Sequence, residues 1–334
     1  MGSPIVSYII PMYNEAERIK NCIGSIQRQT LSDIEIIVVN DGSTDESPTI
    51  VQALSHEDSR IRLLNFENGG TAIALNNGLL AATGKYIAIS GADDWIEPGM
   101  AEKMVEVIET NKTDLVVCDI YKESPQFTGK CLSFEKEEIQ TVDLLKKTIL
   151  FHYDYSVCNK LFPRELIISN EIFFEPKLRI GQDVLFNFMV FANIKSLTVI
   201  PDAFYHYVAK SDSLMSKPQK ERIMSFNKII EAFREYCDNK KMSESWRIFL
   251  QNIGPAYHSY FLNLVLSADE TKCMNFKQYY THIVDCLRMM DPLLLQYNHA
   301  TTPYQKFRMC LLSGKQFRLF ALLAALRHKT LFQS

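Results

Sequence analysis

The chain has 334 residues, 47% of them hydrophobic and 22% charged, which is enough apolar content for a substantial core and excludes an intrinsically disordered chain. A formal net charge of −3 leaves no whole-chain reason to expect nucleic acid as a partner, since that demands a basic surface. Eight cysteines are scattered singly, with no C-x-x-C pair and no Cys/His cluster at zinc spacing, so they read as reduced, small apolar residues of a cytosolic protein.

Residues 5–10 (I-V-S-Y-I-I) are β-branched and aromatic and predict a buried strand that stops at Pro11. Asn14 then reads as a helix N-cap with Glu17 as its capping-box partner, and Ala16, Ile19, Ile23 and Ile26 form the apolar face. A second β-α unit runs from strand 34–40 through the turn Asp41-Gly42-Ser43-Thr44-Asp45 into a helix with Ile50, Val51 and Leu54 on one face. The third passes from strand 61–66 through Gly69-Gly70 into a helix that Gly84 closes as C′. Strand 85–90 delivers Gly91-Ala92-Asp93-Asp94-Trp95, and Pro98 suits the first turn of the next helix. Strand 114–119 continues the sheet, and the polar stretch 122–138 reads as a loop.

Near-continuous apolar strands alternating with helices imply an α/β fold, a mostly parallel Rossmann-like sheet with helices on both faces. In such a sheet the ligand crevice lies outside the carboxyl ends of the strands, where Asp41, Asp93 and Asp94 all fall. Beyond about residue 217 the pattern changes to long helices, for example 220–237 and 246–267. The expected organisation is an α/β domain over 1–217 and a C-terminal helical extension over 218–334. The first residues run straight into a strand without a basic and then apolar leader, and no apolar run approaches the ~20 residues of a membrane span.

Three segments carry candidate chemistry. In V-V-N-D-G-S-T-D (38–45) a strand ends in a carboxylate and a turn; Asp41 there can accept an imide N–H such as uracil N3, or it can simply cap the following helix. The adjacent carboxylates Asp93 and Asp94 can hold Mg²⁺ or Mn²⁺ and through it a diphosphate, with helix capping before Pro98 as the competing reading. In Gly181-Gln182-Asp183 a carboxylate among apolar neighbours suits a general base near neutral pH, or else a helix N-cap.

Together the segments P-M-Y-N (11–14), Q-T (29–30), E-I-I-V-V-N-D-G-S-T-D (35–45), N-G-G-x-x-x-A-x-N-x-G (68–78), D-D-W (93–95), N-K-L-F (159–162), G-x-D (181–183), and Y-H-Y with S-L-M (205–215) resemble the family 2 glycosyltransferases of GT-A fold. This large inverting group builds capsules, lipopolysaccharide and wall polymers. The resemblance implies a hexosyltransferase-type enzyme that moves sugar from a nucleotide diphosphate sugar, UDP-linked by preference, to a hydroxyl of a glycan or lipid-linked acceptor. Residues 1–120 would form the nucleotide-sugar half and 121–217 the acceptor half. Pro11, Tyr13 and Glu15 match the loop lining the nucleotide pocket, Asp41 the uracil-binding Asp, and Gly70, Asn76 and Ala92 fall in nucleotide-facing motifs. Asp93 matches the metal-coordinating carboxylate of D-x-D, with Mn²⁺ or Mg²⁺ as the implied cation, and Asp183 matches the general base. Asp94, Gln182 and His206 stand as auxiliary candidates.

Four positions depart from the pattern. Gly91 replaces the first Asp of D-x-D, Leu75 an Arg near the nucleotide, Gln182 a Glu before the base, and Val208 an Arg after Y-x-Y. They motivate an alternative from another class, a catalytically silent subunit that binds nucleotide or scaffolds an active transferase. No G-x-G-x-x-G or P-loop follows a strand, which argues against dehydrogenase and NTPase readings. From Pro292 to Ser334 there is no Asp or Glu, while Lys306, Arg308, Lys315, Arg318, Arg327 and Lys329 are interleaved with large apolar residues. Segment 303–330 is therefore expected either to lie on an anionic membrane surface or to pack on the domain or across a homodimer. The expected location is the cytoplasm, with peripheral contact at the inner face of the cell membrane.

Overall fold

The structure, a computed structural model, describes residues 3–124, 127–131, 138–141, 156–178, 180–208 and 219–246. The chain divides into two units, residues 1–213 and 214–334. The first unit opens with β1 (Val6–Met12), α1 (Ile19–Gln27), β2 (Ile34–Asp41), α2 (Ser47–Glu57), β3 (Ile61–Phe66), α3 (Thr71–Ala81) and β4 (Tyr86–Ile89). There follow β5 (Trp95–Ile96), α4 (Met100–Asn111), β6 (Val116–Glu123), β7 (Thr128–Lys130), β8 (Glu138–Thr141) and β9 (Lys160–Pro163). It ends with α5 (Arg164–Ser169), α6 (Gln182–Asn193) and β10 (Ser196–Val208). In the second unit α7 (Gln219–Asn239) is followed by a short turn and a helical segment, 243–246, from which Trp246 lies beside Phe233, ring centroids 6.3 Å apart. The expected helix 246–267 and the basic segment 303–330 lie outside the described residues.

The strands join one sheet in the order β3-β2-β1-β4-β9-β6-β10-β5, with β7 added on β6 and β8 on β10. The first four strands are parallel, the arrangement that β-α units produce. From β9 onward the sheet is mixed: β9 runs antiparallel to β4 and β6, β10 is parallel to β6, and β5 folds back antiparallel onto β10. All eight residues of β2 are buried, which is why its centre reads as the apolar run Ile36-Ile37-Val38-Val39. Of its two carboxylates, Asp41 ends the strand and Glu35 is kept at the amino end of the sheet. There it accepts the Ser7 hydroxyl at 2.6 Å, the Thr83 N–H at 2.7 Å and the Arg62 guanidinium at 2.8 Å.

Alternation along the strands sorts the two faces. Tyr8, Ile10, Ile36 and Val38 join a core cluster with Ile19, Cys22 and Ile23 of α1 and Val51 of α2. Ile9 and Val39 face α3, which comes close because Gly78 has no side chain: a Cβ there would lie 2.3 Å from Ile9 Cγ2.

Several local expectations are corrected. β1 runs through Pro11 to Met12, because its neighbour β4 ends at the Ile9↔Ile89 pair and no strand seeks the missing proline N–H. Asn14 does not cap α1, which starts at Ile19 after Arg18 without a side-chain cap. Its backbone is left-handed (φ 54°) and its Oδ1 instead accepts the Thr44 N–H at 2.8 Å. Helix α3 closes at Ala82, and Gly84 is needed for close approach, since a Cβ there would fall 2.6 Å from Ser7 Oγ. The stretch expected as loop 122–138 contains the end of β6 and β7, which pair Tyr121↔Lys130 and Glu123↔Thr128.

Candidate active site

Asp41 is the last residue of β2 and is buried. Its Oδ1 accepts the Gly69 N–H at 2.7 Å, and its Oδ2 accepts the Gly70 N–H at 3.0 Å. Gly70, at φ 91°, is the residue that turns the chain into α3, a conformation that glycine adopts without the Cβ penalty. The carboxylate thus shapes the turn at the amino end of α3, and its remaining lone pairs are what a ligand could use. Two exposed aromatics stand at the same edge: Phe66, paired in register with Asp41, and Tyr13, just past the end of β1. They are 43% and 49% exposed, so both rings are open to a ligand. Phe66 was missed in the sequence; the signal that could have found it is an aromatic ending a strand beside an Asp-ended one.

The loop after β1 is held by the turn after β2. Ser43 Oγ accepts the Asn14 N–H at 3.0 Å, Ser47 Oγ the Glu15 N–H at 2.8 Å and Asp45 Oδ2 the Ala16 N–H at 3.1 Å. These groups satisfy donors ahead of α1, while in its first turn the Ile19 and Asn21 N–H groups bond to the backbone carbonyls of Glu15 and Arg18, at 2.9 Å each. Pro11 is half-buried at the base of this loop, and Glu15 pairs with Arg18 at 3.2 Å.

The turn between β4 and β5 carries Gly91, Ala92, Asp93 and Asp94. Asp93 is partly exposed, whereas Ala92 and Asp94 are buried. The Tyr205 hydroxyl donates to Asp94 Oδ2, and the Val208 N–H donates to Oδ1 at 2.9 Å. The same Tyr205 oxygen accepts the Gly91 N–H at 3.0 Å, while the Cys22 thiol donates to the Gly91 carbonyl at 3.2 Å. Asp94 therefore fastens the turn to β10. Because the Val208 contact uses the backbone, a valine serves there as well as an arginine. Burial, with the neighbouring Cys158 thiol and Asp94 carboxylate, pushes the Tyr205 phenol well above its usual range, so it stays a donor. Burial likewise pushes the Cys22 and Cys158 thiols up to about 12, which keeps them protonated.

His206 pairs with Trp95 across β10 and β5, and the rings stack with centroids 3.5 Å apart and planes at 16°. Its Nδ1 faces Glu123 Oε1 at 2.9 Å and its Nε2 faces Glu97 Oε1 at 3.1 Å. Both ring nitrogens are thus engaged by carboxylates, and the side chain is buried. Leu75 is also buried, so that position supplies packing where a cation was expected.

Asp183 lies in the first turn of α6, with Gly181 (φ 76°) as the cap residue and Gln182 first in the helix. Both side chains are partly exposed. Asn76 does not stand free toward the sheet edge: its amide bonds twice to the backbone of Phe174, eight residues before α6. Among the described residues no group of three His, Cys, Asp or Glu side chains is placed to hold a metal ion. Asp93, partly exposed, fits the sparser mode in which one or two carboxylates and substrate phosphates share a cation.

A β-α-β sheet with carboxylates along one edge and a mixed extension has counterparts among solved glycosyltransferases. TarS 1–349 of S. aureus, solved in complex with UDP-GlcNAc, aligns with TM-score 0.72 and 17% identity over 98% of this chain and 92% of that one. The mannosyltransferase PcManGT of Pyrobaculum calidifontis, solved with GDP-Man and Mn²⁺, aligns with TM-score 0.53 and 18% identity over 100% and 89%. The fold is that of a GT-A glycosyltransferase.

Residues 7–168 match the family model described as Glycosyl transferase family 2. The glycosyltransferase GlyG of Streptococcus pneumoniae is 30% identical over 226 residues, 64% of this chain and 73% of its own. In Bacillus subtilis, EpsJ is 35% identical over 65% of this chain and 64% of its own length, and EpsH is 27% identical over 97% and 95%. The chain belongs to glycosyl transferase family 2 and is a glycosyltransferase.

Proposed function

We propose that this chain transfers a sugar, with inversion at the anomeric carbon, from a UDP-sugar to a hydroxyl of a glycan or lipid-linked acceptor in polysaccharide biosynthesis. The observation that carries the reading is the row at the carboxyl edge of the parallel strands. Tyr13, Asp41 and Phe66 stand at the carboxyl ends of the three neighbouring strands β1, β2 and β3, with the Asp93 turn beyond β4 on the far side of β1. Two exposed rings flanking a carboxylate suit a planar base with an imide N–H, and the N–H groups at the start of α3 suit an anion. Support also comes from names: the relative ExoO of Rhizobium meliloti is a succinoglycan biosynthesis protein, and TarS was solved with UDP-GlcNAc.

In this reading Asp93, together with the diphosphate, would hold Mn²⁺ or Mg²⁺, which when bound would supply positive charge beside the departing diphosphate. Asp183 accepts the proton of the acceptor hydroxyl. The freed oxygen attacks the anomeric carbon opposite the diphosphate, whose C–O bond breaks with the electron pair leaving on the diphosphate. Segment 303–330 would keep the enzyme at an anionic membrane surface, where a lipid-linked acceptor is found. Among the described residues no helix is long and apolar enough to cross a membrane.

The test is a panel of nucleotide sugars assayed for hydrolysis and transfer, with and without Mn²⁺, on wild type and Asp183→Asn. Turnover of UDP-sugars that falls by roughly 10²–10⁴ in the variant is expected, the range that a positioned general base contributes. UDP binding without turnover of any donor would favour the silent nucleotide-binding subunit instead. Full activity in Asp183→Asn would remove Asp183 from the mechanism.

A further inference from the structure

We infer that Asn76 is a positioning residue which couples α3, at the donor edge of the sheet, to the helix bearing Asp183; this rests on reading Asp183 as the base. The Asn76 amide is committed on both sides. Its Nδ2 donates to the Phe174 carbonyl at 2.8 Å and its Oδ1 accepts the Phe174 N–H at 2.8 Å. A primary amide that both donates to and accepts from one residue copies the pairing of a neighbouring strand. Among side chains of this length Asn alone provides it: Asp lacks the donor and Leu lacks both groups.

Phe174 carries the position onward. Its ring is stacked on Phe186 of α6, centroids 4.2 Å apart and planes within 7°. Phe186 meets Phe162 of β9 edge-on at 5.6 Å and 89°. All three rings are fully buried, so the path runs through close-packed side chains and contains no soft link. Phe186 lies three residues after Asp183, one turn along α6, so fixing its ring fixes the helix end from which Asp183 projects.

At its amino end α3 is fixed by a different contact, the Gly69 and Gly70 N–H groups on Asp41. Helix α3 is therefore a strut, its amino end set by the carboxylate at the donor edge and its middle, at Asn76, holding the segment that leads to the base. The spacing between donor and base is set along this one helix. A displacement of about 1 Å in such a spacing can cost on the order of 10²-fold in rate while donor binding is untouched.

The experiment uses the full chain and the variants Asn76→Asp and Asn76→Ala. Calorimetry gives the UDP Kd, steady-state kinetics give kcat and donor KM, and hydrogen exchange reports the backbone of residues 172–175. The expected result is a fall in kcat of about tenfold or more, Kd and KM within about twofold, and faster exchange at Phe174. A weakened Kd and raised KM with kcat intact would make Asn76 a nucleotide contact and overturn the inference; so would an unchanged kcat. If Asn76→Ala does not fold, Phe174→Leu keeps both backbone hydrogen bonds and removes the stack on Phe186. It is expected to show the same loss confined to kcat, and full kcat there would count equally against the strut. A wild type that turns over no donor sinks the reading of Asp183, whereas an active wild type with a fully active Asn76→Asp sinks the strut alone.

Discussion

Gly78→Ala is the most direct probe of how tightly α3 is seated. The added Cβ would lie 2.3 Å from Ile9 Cγ2 and 3.3 Å from Val39 Cγ2, and neither of these is the end of a flexible chain. Ordinary contact begins near 3.4 Å, so helix and sheet must part by about 1 Å or β1 must shift. Overpacking of this kind costs about 1–3 kcal/mol, and the better helix propensity of alanine returns about 0.5–1, leaving a net loss of roughly 1–2 kcal/mol. The chain has two tryptophans, Trp95 in the first unit and Trp246 in the second. In a Trp246→Phe background, fluorescence therefore follows the first unit alone. Urea unfolding should show a lower midpoint at unchanged slope. Ile9→Ala alone costs about 2–5 kcal/mol, but the double variant should cost less than the two singles together, because the new methyl enters the vacated space. A Gly78→Ala protein as stable as its parent, or additive behaviour in the double variant, would refute this account of the packing.

Two further predictions concern buried polar groups. Tyr205→Phe leaves the Gly91 N–H without its acceptor and Asp94 Oδ2 without its donor, and should cost about 1–3 kcal/mol in the same assay; a change under about 0.3 kcal/mol would show that water replaces the hydroxyl. Glu35 is raised by burial, but the Ser7 hydroxyl, the Thr83 N–H and hydroxyl and Arg62 outweigh this and hold its carboxyl below the usual range. Since the folded chain then binds the proton less readily than the unfolded one, the stabilisation is complete above the ordinary glutamate range and drains away as pH falls below it. Glu35→Gln should accordingly cost about 1–2 kcal/mol near pH 7, with the gap to wild type narrowing as pH falls below the ordinary glutamate range. A gap that stays constant with pH would remove the titration of Glu35 from the acid sensitivity of the fold.

The β-α units were legible because each strand is an apolar run ended by a turn, and that local signal placed Asp41, Asp93 and Asp94 along one edge. What escaped were features that depend on distant partners. Asn14 resembles a cap, yet its left-handed backbone and its bond to Thr44 only make sense once the turn of residues 41–47 is beside it. The short strands β5, β7 and β9 have two to four residues each and exist only through their pairing with β10, β6 and β4. The bonding of Asn76 to Phe174 was hidden as well, because the partner is 98 residues away and is a backbone group, which leaves no trace in side-chain identity. Phe66 failed to register as more than the end of a strand, because its place beside Asp41 depends on the register across the sheet.

The fastening of Asp94 to Tyr205 and Val208 also has a consequence in time. The turn carrying Asp93 and Asp94 is made early in synthesis, but the groups that hold it arrive more than a hundred residues later. A nascent chain emerging at about 5–20 residues per second can close β1 to β4 on its own, while this turn waits several seconds for β10 to leave the ribosome. Every shorter fragment would have the parallel strands and an unfinished loop. Truncated chains from a broken message should therefore be poor traps for nucleotide sugar, and the ability to hold the donor should appear only when residue 208 is available.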